Sequence, residues 1–162
     1  MNEAKIILDH QKLIAALEEH REKGRTIVFT NGCFDFIHVG HIRCLRGAKD
    51  EGDILVVGVN SDESVRKTKK EGRPLMPENE RLEILSALVY VDYLTLFSES
   101  TVDDMLRKVR PHVFAKGTDY TAENVPERDT ALSINARIAI VGDPKNHSSS
   151  DYIKKIQISP GT

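Results

Sequence analysis

The chain has 162 residues, 40% of them apolar and 30% charged, which is ordinary for a globular domain with a hydrophobic core. A net charge of −2 gives no overall basic surface for nucleic acid, and no apolar run approaches the roughly 20 residues of a membrane span. Two cysteines, Cys33 and Cys44, are too few for a disulfide framework, and residues 1–8 lack the apolar core of a signal peptide. We expect one cytoplasmic domain with no nucleic-acid or membrane partner.

Helical and strand patterns alternate along the chain. An amphipathic helix is predicted over Asp9–Lys23, with Asp9 as its N-cap and Gly24 as its C-cap. Strands are predicted over 25–30, 54–59, 91–97, 112–116 and 136–141, and further helices over 40–50, 78–88, 101–109 and 148–156. The polar segment 121–132 is predicted to be irregular. This alternation indicates an α/β fold with a parallel sheet, in which a helix within residues 1–24 precedes a nucleotide-binding core of residues 25–162.

The segment Thr30–His41 joins the first predicted strand to the second predicted helix. In parallel α/β sheets, ligands bind beyond the carboxyl ends of the strands, where a helix N-terminus offers backbone N–H groups to a phosphate. His38 and His41 lie three residues apart at the start of the helix, so they can present two hydrogen-bond donors on nearly one face. Phosphate chemistry is therefore the first hypothesis, and a helix-capping role for both histidines is the alternative.

The same segment permits a different interpretation, a zinc site formed by Cys33, His38, His41 and Cys44. His41 and Cys44 share a helical face, but the C-x4-H-x2-H-x2-C spacing matches none of the usual zinc patterns. Cys44 lies in an apolar-leaning helix, where a small buried side chain is the ordinary outcome. We therefore predict that protein side chains bind no metal.

Two segments further along the chain could contact the same phosphates. The basic segment 66–73 contains Lys69, Lys70 and Arg73 and is expected to be mobile until it closes over a triphosphate. Ser148–Ser150 precede the last predicted helix, where their hydroxyls would cap the helix and could also hold a terminal phosphate. The alternatives are a solvated basic surface for the first segment and capping alone for the second.

In their order along the chain, these segments resemble the nucleotidylyltransferase family marked by an H-x-G-H signature. The resemblance is carried by Phe29–Asp35, His38-Val39-Gly40-His41 and Gly52–Asp62, and it continues through 64–66, 73–74, Arg81, 91–93 and 116–120. Within the family, the chain is most similar to the adenylyltransferases of ADP-heptose synthesis, which act on D-glycero-β-D-manno-heptose 1-phosphate. The resemblance implies a Rossmann-like, doubly wound parallel sheet of about five strands, of the nucleotidylyltransferase type.

The resemblance also implies a reaction in which AMP moves from ATP to a sugar 1-phosphate and pyrophosphate leaves. His38, His41 and Lys69 would be the catalytic residues. The nucleotide would contact Asn31, Gly32, Cys33, Phe34, Gly40, Lys116, Gly117, Asp119, Ser148, Ser149 and Ser150, and the sugar phosphate would contact Asp35, Asn60, Arg73 and Arg81. Mg²⁺ would be bound through the phosphates of ATP rather than by the protein, and a homodimer is expected.

The chain departs from the family pattern at a few positions. Thr118 replaces the second glycine of the Lys-Gly-Gly-Asp segment, Asn146 and His147 stand where the family commonly has glycine, and 121–144 matches poorly. The alternatives are a cytidylyltransferase for glycerol 3-phosphate or another alcohol phosphate, an FMN adenylyltransferase, and a non-catalytic nucleotide-binding module. The segment Lys116–Tyr120 favours the heptose interpretation, and the intact H-x-G-H signature argues against a non-catalytic module.

Overall fold

The computed structural model describes residues 5–69, 71–144 and 148–158, in which helices and strands alternate. The helices are α1 (His10–Glu22), α2 (Val39–Asp50), α3 (Asp62–Thr68), α4 (Glu78–Ser86), α5 (Asp103–Val109), α6 (Arg128–Ser133) and α7 (Ser149–Ile158). The strands are β1 (Ile27–Gly32), β2 (Ile54–Asn60), β3 (Tyr93–Phe97), β4 (Val113–Gly117) and β5 (Arg137–Val141). No helix within these ranges is long and apolar enough to cross a membrane.

The strands form one five-stranded parallel sheet in the order β3-β2-β1-β4-β5. The chain winds outward from β1 to β3, and then returns to the other side of β1 with β4, so the switch point lies between β1 and β4. Every residue of β2 is buried, because helices cover both faces of the sheet. The predicted Rossmann-like, doubly wound parallel sheet is confirmed.

A hydrophobic cluster lies on each face of the sheet. On the first face, Phe29 and Phe114 stack with their ring centroids 6.2 Å apart, in a cluster that includes side chains from α1, α5 and α6. On the second face, Leu45 of α2 and Leu85 of α4 pack against the same strands. Leu13 of α1 is fully buried in the first-face cluster, so the N-terminal helix packs into the same core as the strands and helices of residues 25–162.

The structure differs from the predicted boundaries in two places that concern the site. Helix α6 forms within the segment that was expected to be irregular, because so short a helix carries too little hydrophobic periodicity to be recognised. Strands β1 and β2 continue beyond their predicted ends, to Gly32 and Asn60. The extension places Asn31 and Asn60 inside the sheet, where alternation along each strand fixes the direction of their side chains.

Candidate active site

An open cavity of about 1070 Å³ lies at the carboxyl edge of the sheet, where the loops that follow β1 and β4 meet. Its wall includes the start of α2, the residue after α3 and the start of α7. The predicted site residues in this wall are Asn31, Gly32, Cys33, Phe34, Asp35, Gly40, His38, His41, Asn60, Lys69, Arg73, Lys116, Gly117, Asp119, Ser148, Ser149 and Ser150. Arg81 is the one predicted site residue outside the wall.

His38 and His41 begin α2 with their ring centroids 3.9 Å apart. Each ring caps the helix through Nδ1, which accepts a hydrogen bond from Gly40 N at 3.1 Å in His38 and from His38 N at 3.3 Å in His41. An imidazole nitrogen that accepts a hydrogen bond carries no proton, so the proton of each neutral ring lies on Nε2. Capping through Nδ1 is therefore compatible with donation from Nε2, and the two interpretations of the pair do not exclude each other.

The charge state of His41 follows from its surroundings. Burial, with a smaller contribution from the neighbouring His38, lowers the pKa of His41 to about 4. Phe34 covers part of the ring, with the two centroids 5.5 Å apart. Without a ligand, His41 is neutral at pH 7, whereas a bound triphosphate would favour the protonated form and raise the pKa.

The segment between β1 and α2 has a strained backbone. Phe34 and Phe36 have φ values of 50° and 67°, a left-handed conformation that is costly for bulky side chains. Packing compensates for the strain: Phe34 is buried, and the ring of Phe36 lies 6.2 Å from that of Tyr152 in α7. Ser149 Oγ donates a hydrogen bond to Phe36 O at 3.0 Å, so α7 also holds this loop in place.

Arg81 lies beneath the cavity rather than in its wall, and it is 0% exposed. Its guanidinium donates hydrogen bonds to the carbonyl oxygens of Met76, Cys33 and Asn60 and pairs with the Asp62 carboxylate at 2.7 Å. These bonds tie the ends of β1 and β2 to the start of α3. Arg81 is thus fully buried and outside the cavity wall, and its expected contact with the sugar phosphate stays a prediction.

Asp35 and Asn60 border the cavity, and protein groups already meet the Asp35 carboxylate and the amide nitrogen of the Asn60 side chain. The Asp35 carboxylate accepts hydrogen bonds from Leu75 N and Met76 N and forms an ion pair with Arg73 Nε at 2.6 Å. Asn60 donates from its amide to a serine hydroxyl of α3 at 2.9 Å. Asp35 therefore anchors the end of the basic segment to the loop after β1, and its expected contact with the sugar phosphate stays a prediction.

Lys69 follows α3 as its C-cap and lines the cavity. Burial raises the pKa of the Cys33 thiol, and the positive charge of Lys69 is the largest opposing influence. Lys67 is exposed, pairs with Glu63 one helical turn away at 2.5 Å and is absent from the cavity wall. The two lysines therefore differ in their access to a ligand, whereas Lys70 lies outside the described residues.

The three serines at the start of α7 include a helix cap. Ser148 Oγ accepts a hydrogen bond from Asp151 N at 3.1 Å and donates one to the Asp151 carboxylate at 2.7 Å. This confirms the predicted capping role, whereas contact of the serines with a phosphate stays a prediction. Asn146 and His147 lie outside the described residues.

The zinc interpretation gains no support from the structure. Among the described residues, no group of three or more His, Cys, Asp or Glu side chains is placed to hold a metal ion. Cys44 packs against the second-face cluster, and burial raises the pKa of its thiol. A Cβ added at Gly142 would lie 3.2 Å from Cys44 Cα, and Gly142 has a φ of +92°, so both the close approach and the backbone require glycine there.

A buried ion pair that sequence patterns did not reveal lies in another part of the cavity wall. Phe29 and Phe114 face the first-face cluster, so Asn31 and Lys116, two residues further along their strands, point the same way. Lys116 Nζ donates a hydrogen bond to Asn31 Oδ1 at 3.3 Å and lies 3.5 Å from Glu127 Oε2. Glu127 precedes α6 in the segment that was predicted to be irregular, so its approach to Lys116 depended on a helix that the sequence did not indicate.

The fold and the site together define an enzyme of the nucleotidyltransferase class. A family profile described as cytidylyltransferase-like matches residues 29–156, and the chain belongs to this family. The matched range begins in β1 and ends in α7, so it includes the whole cavity wall.

Curated relatives are similar over nearly all of this chain. Bifunctional protein HldE of Pelobacter propionicus is 41% identical over 150 residues, which cover 93% of this chain and 31% of the relative. Bifunctional protein HldE of Geobacter metallireducens is 44% identical over 144 residues, which cover 89% of this chain and 29% of the relative. The chain therefore spans less than a third of the length of either relative.

Two solved structures are similar in fold. The lipopolysaccharide core biosynthesis protein from Thermoplasma volcanium GSS1 has a TM-score of 0.66 and 31% identity, over 75% of this chain and 100% of that chain. Pantoate-beta-alanine ligase from Francisella tularensis, complexed with beta-gamma ATP and beta-alanine, has a TM-score of 0.64 over 90% of this chain and 68% of that chain. At 16% identity the ligase shows the fold alone. The predicted family resemblance and enzyme class are confirmed by these comparisons.

Proposed function

We propose that the chain transfers AMP from ATP to a sugar 1-phosphate, giving an ADP-sugar and pyrophosphate. The observation that carries the proposal is the close pair of His38 and His41, which lines one cavity together with Lys69 and the start of α7. We further propose D-glycero-β-D-manno-heptose 1-phosphate as the acceptor. This choice is supported by the sequence motifs and by the likeness to HldE proteins and to a protein named for lipopolysaccharide core biosynthesis.

In the proposed reaction, an oxygen of the sugar phosphate attacks the α-phosphorus of ATP in line. The bond between the α-phosphorus and the pyrophosphate oxygen breaks, and the electron pair leaves with pyrophosphate. A phosphate monoester is already a nucleophile, so the protein needs to supply neither a covalent intermediate nor a general base. Catalysis is then positioning and stabilisation of the charge that develops on the transferred group.

The residues at the starts of α2 and α7 and at the end of α3 would supply that stabilisation. His38 and His41 would donate hydrogen bonds from Nε2 to oxygens of the reacting phosphoryl group, and each such donor contributes roughly 3 kcal/mol to a transition state. Lys69 would neutralise the leaving pyrophosphate. Backbone N–H groups at the starts of α2 and α7 would hold the phosphate chain.

The nucleoside would lie against the turn after β4. Gly117 and Asp119 belong to this turn and line the cavity. Gly142 and Cys44 form a close-packed wall beside it, because only a residue without a Cβ can lie so close to Cys44. These contacts are part of the proposal, as are the homodimer and the cytoplasmic setting expected from the sequence.

Mg²⁺ is proposed to bind through oxygens of the triphosphate, where it would offset part of the phosphate charge. The groups present fit this arrangement, because His38, His41 and Lys69 line the cavity and would hold the phosphates that carry the ion. Mg²⁺ is commonly held by substrate phosphates and water in this way.

Pyrophosphate release, measured over a panel of substrates, tests the proposal. ATP with heptose 1-phosphate is expected to give pyrophosphate in the presence of Mg²⁺. Release from CTP with glycerol 3-phosphate, in the absence of release from ATP with sugar 1-phosphates, would establish the cytidylyltransferase alternative. Release from ATP with FMN alone would establish the flavin alternative, and nucleotide binding without turnover would indicate a non-catalytic module.

A further inference from the structure

Glu127 is a buried carboxylate with an unsatisfied oxygen. The residue is 7% exposed, and Oε2 has no hydrogen-bond partner among the described residues. Its closest charged neighbour, Lys116 Nζ, is 3.5 Å away, beyond the usual length of a charge-assisted hydrogen bond. Glu127 occupies the N-cap position of α6, yet its side chain makes no capping hydrogen bond. The carboxylate instead borders the cavity.

The surroundings of Glu127 form a polar lobe of the cavity, which we define by Asn31, Asn60, Ser100, Lys116 and Glu127. Alternation along β1, β2 and β4 places the strand residues of this lobe on the first face of the sheet. The histidine pair begins α2, which packs on the second face. The two parts of the cavity thus lie on opposite sides of the sheet edge.

This arrangement matches the requirement of an in-line displacement. In such a reaction, the attacking and leaving groups lie on opposite sides of the phosphorus. The proposed function places the leaving pyrophosphate on the second-face side, at the starts of α2 and α7. The attacking acceptor must then approach from the first-face side, where the polar lobe lies.

Resting on the proposed function, we propose that Glu127 is a specificity-determining residue that accepts hydrogen bonds from hydroxyl groups of the acceptor sugar. A buried carboxylate with an unsatisfied oxygen gains a charge-assisted bond from such a hydroxyl and loses it with an acceptor that lacks one. Lys116, between Asn31 and Glu127, offsets the carboxylate charge and allows a phosphorylated sugar to enter. The site therefore selects a polyhydroxylated acceptor rather than a simple alcohol phosphate.

The chemistry of the lobe favours a sugar over a nucleobase. Amide, ammonium, hydroxyl and carboxylate groups line it, and these are hydrogen-bonding partners for hydroxyls. The Tyr120 ring, 5.0 Å from Lys116 Nζ, provides one apolar surface at the border of the lobe. A flat base is bound mainly by stacking on aromatic faces, whereas hydrogen-bonding groups predominate in this lobe.

A split between the Michaelis constants of the two substrates tests the inference first. We expect Glu127→Gln to raise the KM for heptose 1-phosphate about tenfold while the KM for ATP changes less than about twofold, since one charge-assisted hydrogen bond is weakened. Glu123→Gln, the same change at an exposed position of the same segment, is the matched control and should leave both constants unchanged. A rise in the KM for ATP alone would assign Glu127 to the nucleoside and overturn the inference.

Acceptor analogues separate a direct contact from a structural role. In a series of β-mannose 1-phosphates with one hydroxyl at a time replaced by fluorine, one analogue should lose about tenfold or more in kcat/KM with the unaltered protein, because fluorine cannot donate. The same analogue should lose less than about threefold with Glu127→Gln. Equal selectivity in both proteins would show that Glu127 only balances the charge of Lys116, and the inference would fail.

Calorimetric measurement of β-mannose 1-phosphate binding, without nucleotide, tests the sugar contact independently of turnover. Weaker binding to Glu127→Gln than to Glu123→Gln would support the sugar contact even if no nucleotide were transferred, in which case the proposed function alone would fail. Equal binding, with turnover intact, would overturn the inference and leave the proposed function standing. Should Glu127→Gln fail to fold, Glu127→Asp keeps the charge, withdraws the oxygens by one methylene and is judged by the same results.

Discussion

The floor of the cavity, which lies beneath it around Arg81, and the cavity wall use polar residues in different ways. On the floor, Arg81 is buried, and carbonyl oxygens and the Asp62 carboxylate of the protein accept its hydrogen bonds. In the wall, the two ring nitrogens of His38 and His41 have different roles: Nδ1 caps the helix, and Nε2 carries the proton. The difference shows that closeness to the cavity does not by itself give a residue a role in binding. What matters is whether its hydrogen-bonding atoms are used within the protein or remain available to a ligand.

The largest expected effect comes from removing the Nε2 donors without removing the caps. His38→Asn and His41→Asn each keep an oxygen near the position of Nδ1 but place nothing at the position of Nε2. We expect each change to lower kcat by roughly 10²-fold or more, the usual loss for one transition-state donor. Steady-state kinetics measures the loss.

Thermal unfolding of the same two variants provides the control. Because asparagine is a favourable N-cap residue, His38→Asn should retain most of its stability, whereas His38→Ala should lose about 1 kcal/mol. A variant that turns over at nearly the unaltered rate while its donor is absent would show that the histidines serve the helix only.

Replacing Arg81 should destabilise the protein, because this side chain holds the floor of the cavity together. Arg81→Met leaves three carbonyl oxygens and the Asp62 carboxylate without the partner they have in the structure, so we expect a loss of about 3 kcal/mol in the free energy of unfolding. Urea denaturation measures it. Arg128→Met removes an exposed arginine whose ion pair is 3.8 Å long and should change stability by less than about 0.5 kcal/mol.

A result in which Arg81→Met changes catalysis more than stability would contradict the distinction between floor and wall. A small change in stability, together with a large rise in the KM for the acceptor, would indicate that Arg81 reaches the substrate as the sequence first suggested.

The depressed pKa of His41 predicts an acid-sensitive fold. In the unfolded chain, an imidazole with the ordinary pKa near ~6.5 gains a proton as the pH falls, while the folded His41, with a pKa of about 4, does not. The unfolded state then binds more protons, so stability falls with pH. Between pH 7 and pH 5 we expect His41 to account for about 2 kcal/mol of the loss.

Chemical denaturation of the unaltered protein and of His41→Asn at both pH values isolates this contribution. The variant lacks the titrating group, so its loss should be smaller by the stated amount. Parallel losses in the two proteins would mean that the imidazole is not shielded from protonation.

The smallest expected effect concerns the basic segment. Lys69 lines the cavity and Lys67 does not, so Lys69→Ala should lower kcat about tenfold and Lys67→Ala should leave it within about twofold. Protease cleavage within 66–73 should also slow when ATP and Mg²⁺ are added, if the segment closes over the triphosphate. Equal effects of the two substitutions, or equal cleavage with and without nucleotide, would contradict a closing segment.

The sequence was informative where a residue type at a given spacing has one usual structural role. Alternating apolar runs predicted the strands, and Asp9 was predicted to cap α1, where it accepts hydrogen bonds from Gln11 N and Lys12 N. The H-x-G-H signature predicted which segment begins α2 at the sheet edge. These features depend on local spacing, which the sequence displays directly.

The sequence was less informative where a role depends on long-range packing. Arg81 lies in a motif of the family, but its burial under the cavity follows from how α4 packs beneath the ends of β1 and β2. Glu127 lies in no motif, and only the formation of α6 brings it beside Lys116. Sequence spacing indicates neither the depth of a side chain nor the partner it meets across the sheet.

The transfer itself can be tested most directly by following labelled oxygen. Heptose 1-phosphate that carries ¹⁸O on its phosphate oxygens is incubated with ATP and Mg²⁺, and the products are examined by mass spectrometry. If the sugar phosphate attacks the α-phosphorus, all the label should appear in the ADP-sugar and none in pyrophosphate. Label in pyrophosphate, or loss of ATP without formation of a labelled ADP-sugar, would contradict nucleotidyl transfer to a sugar 1-phosphate.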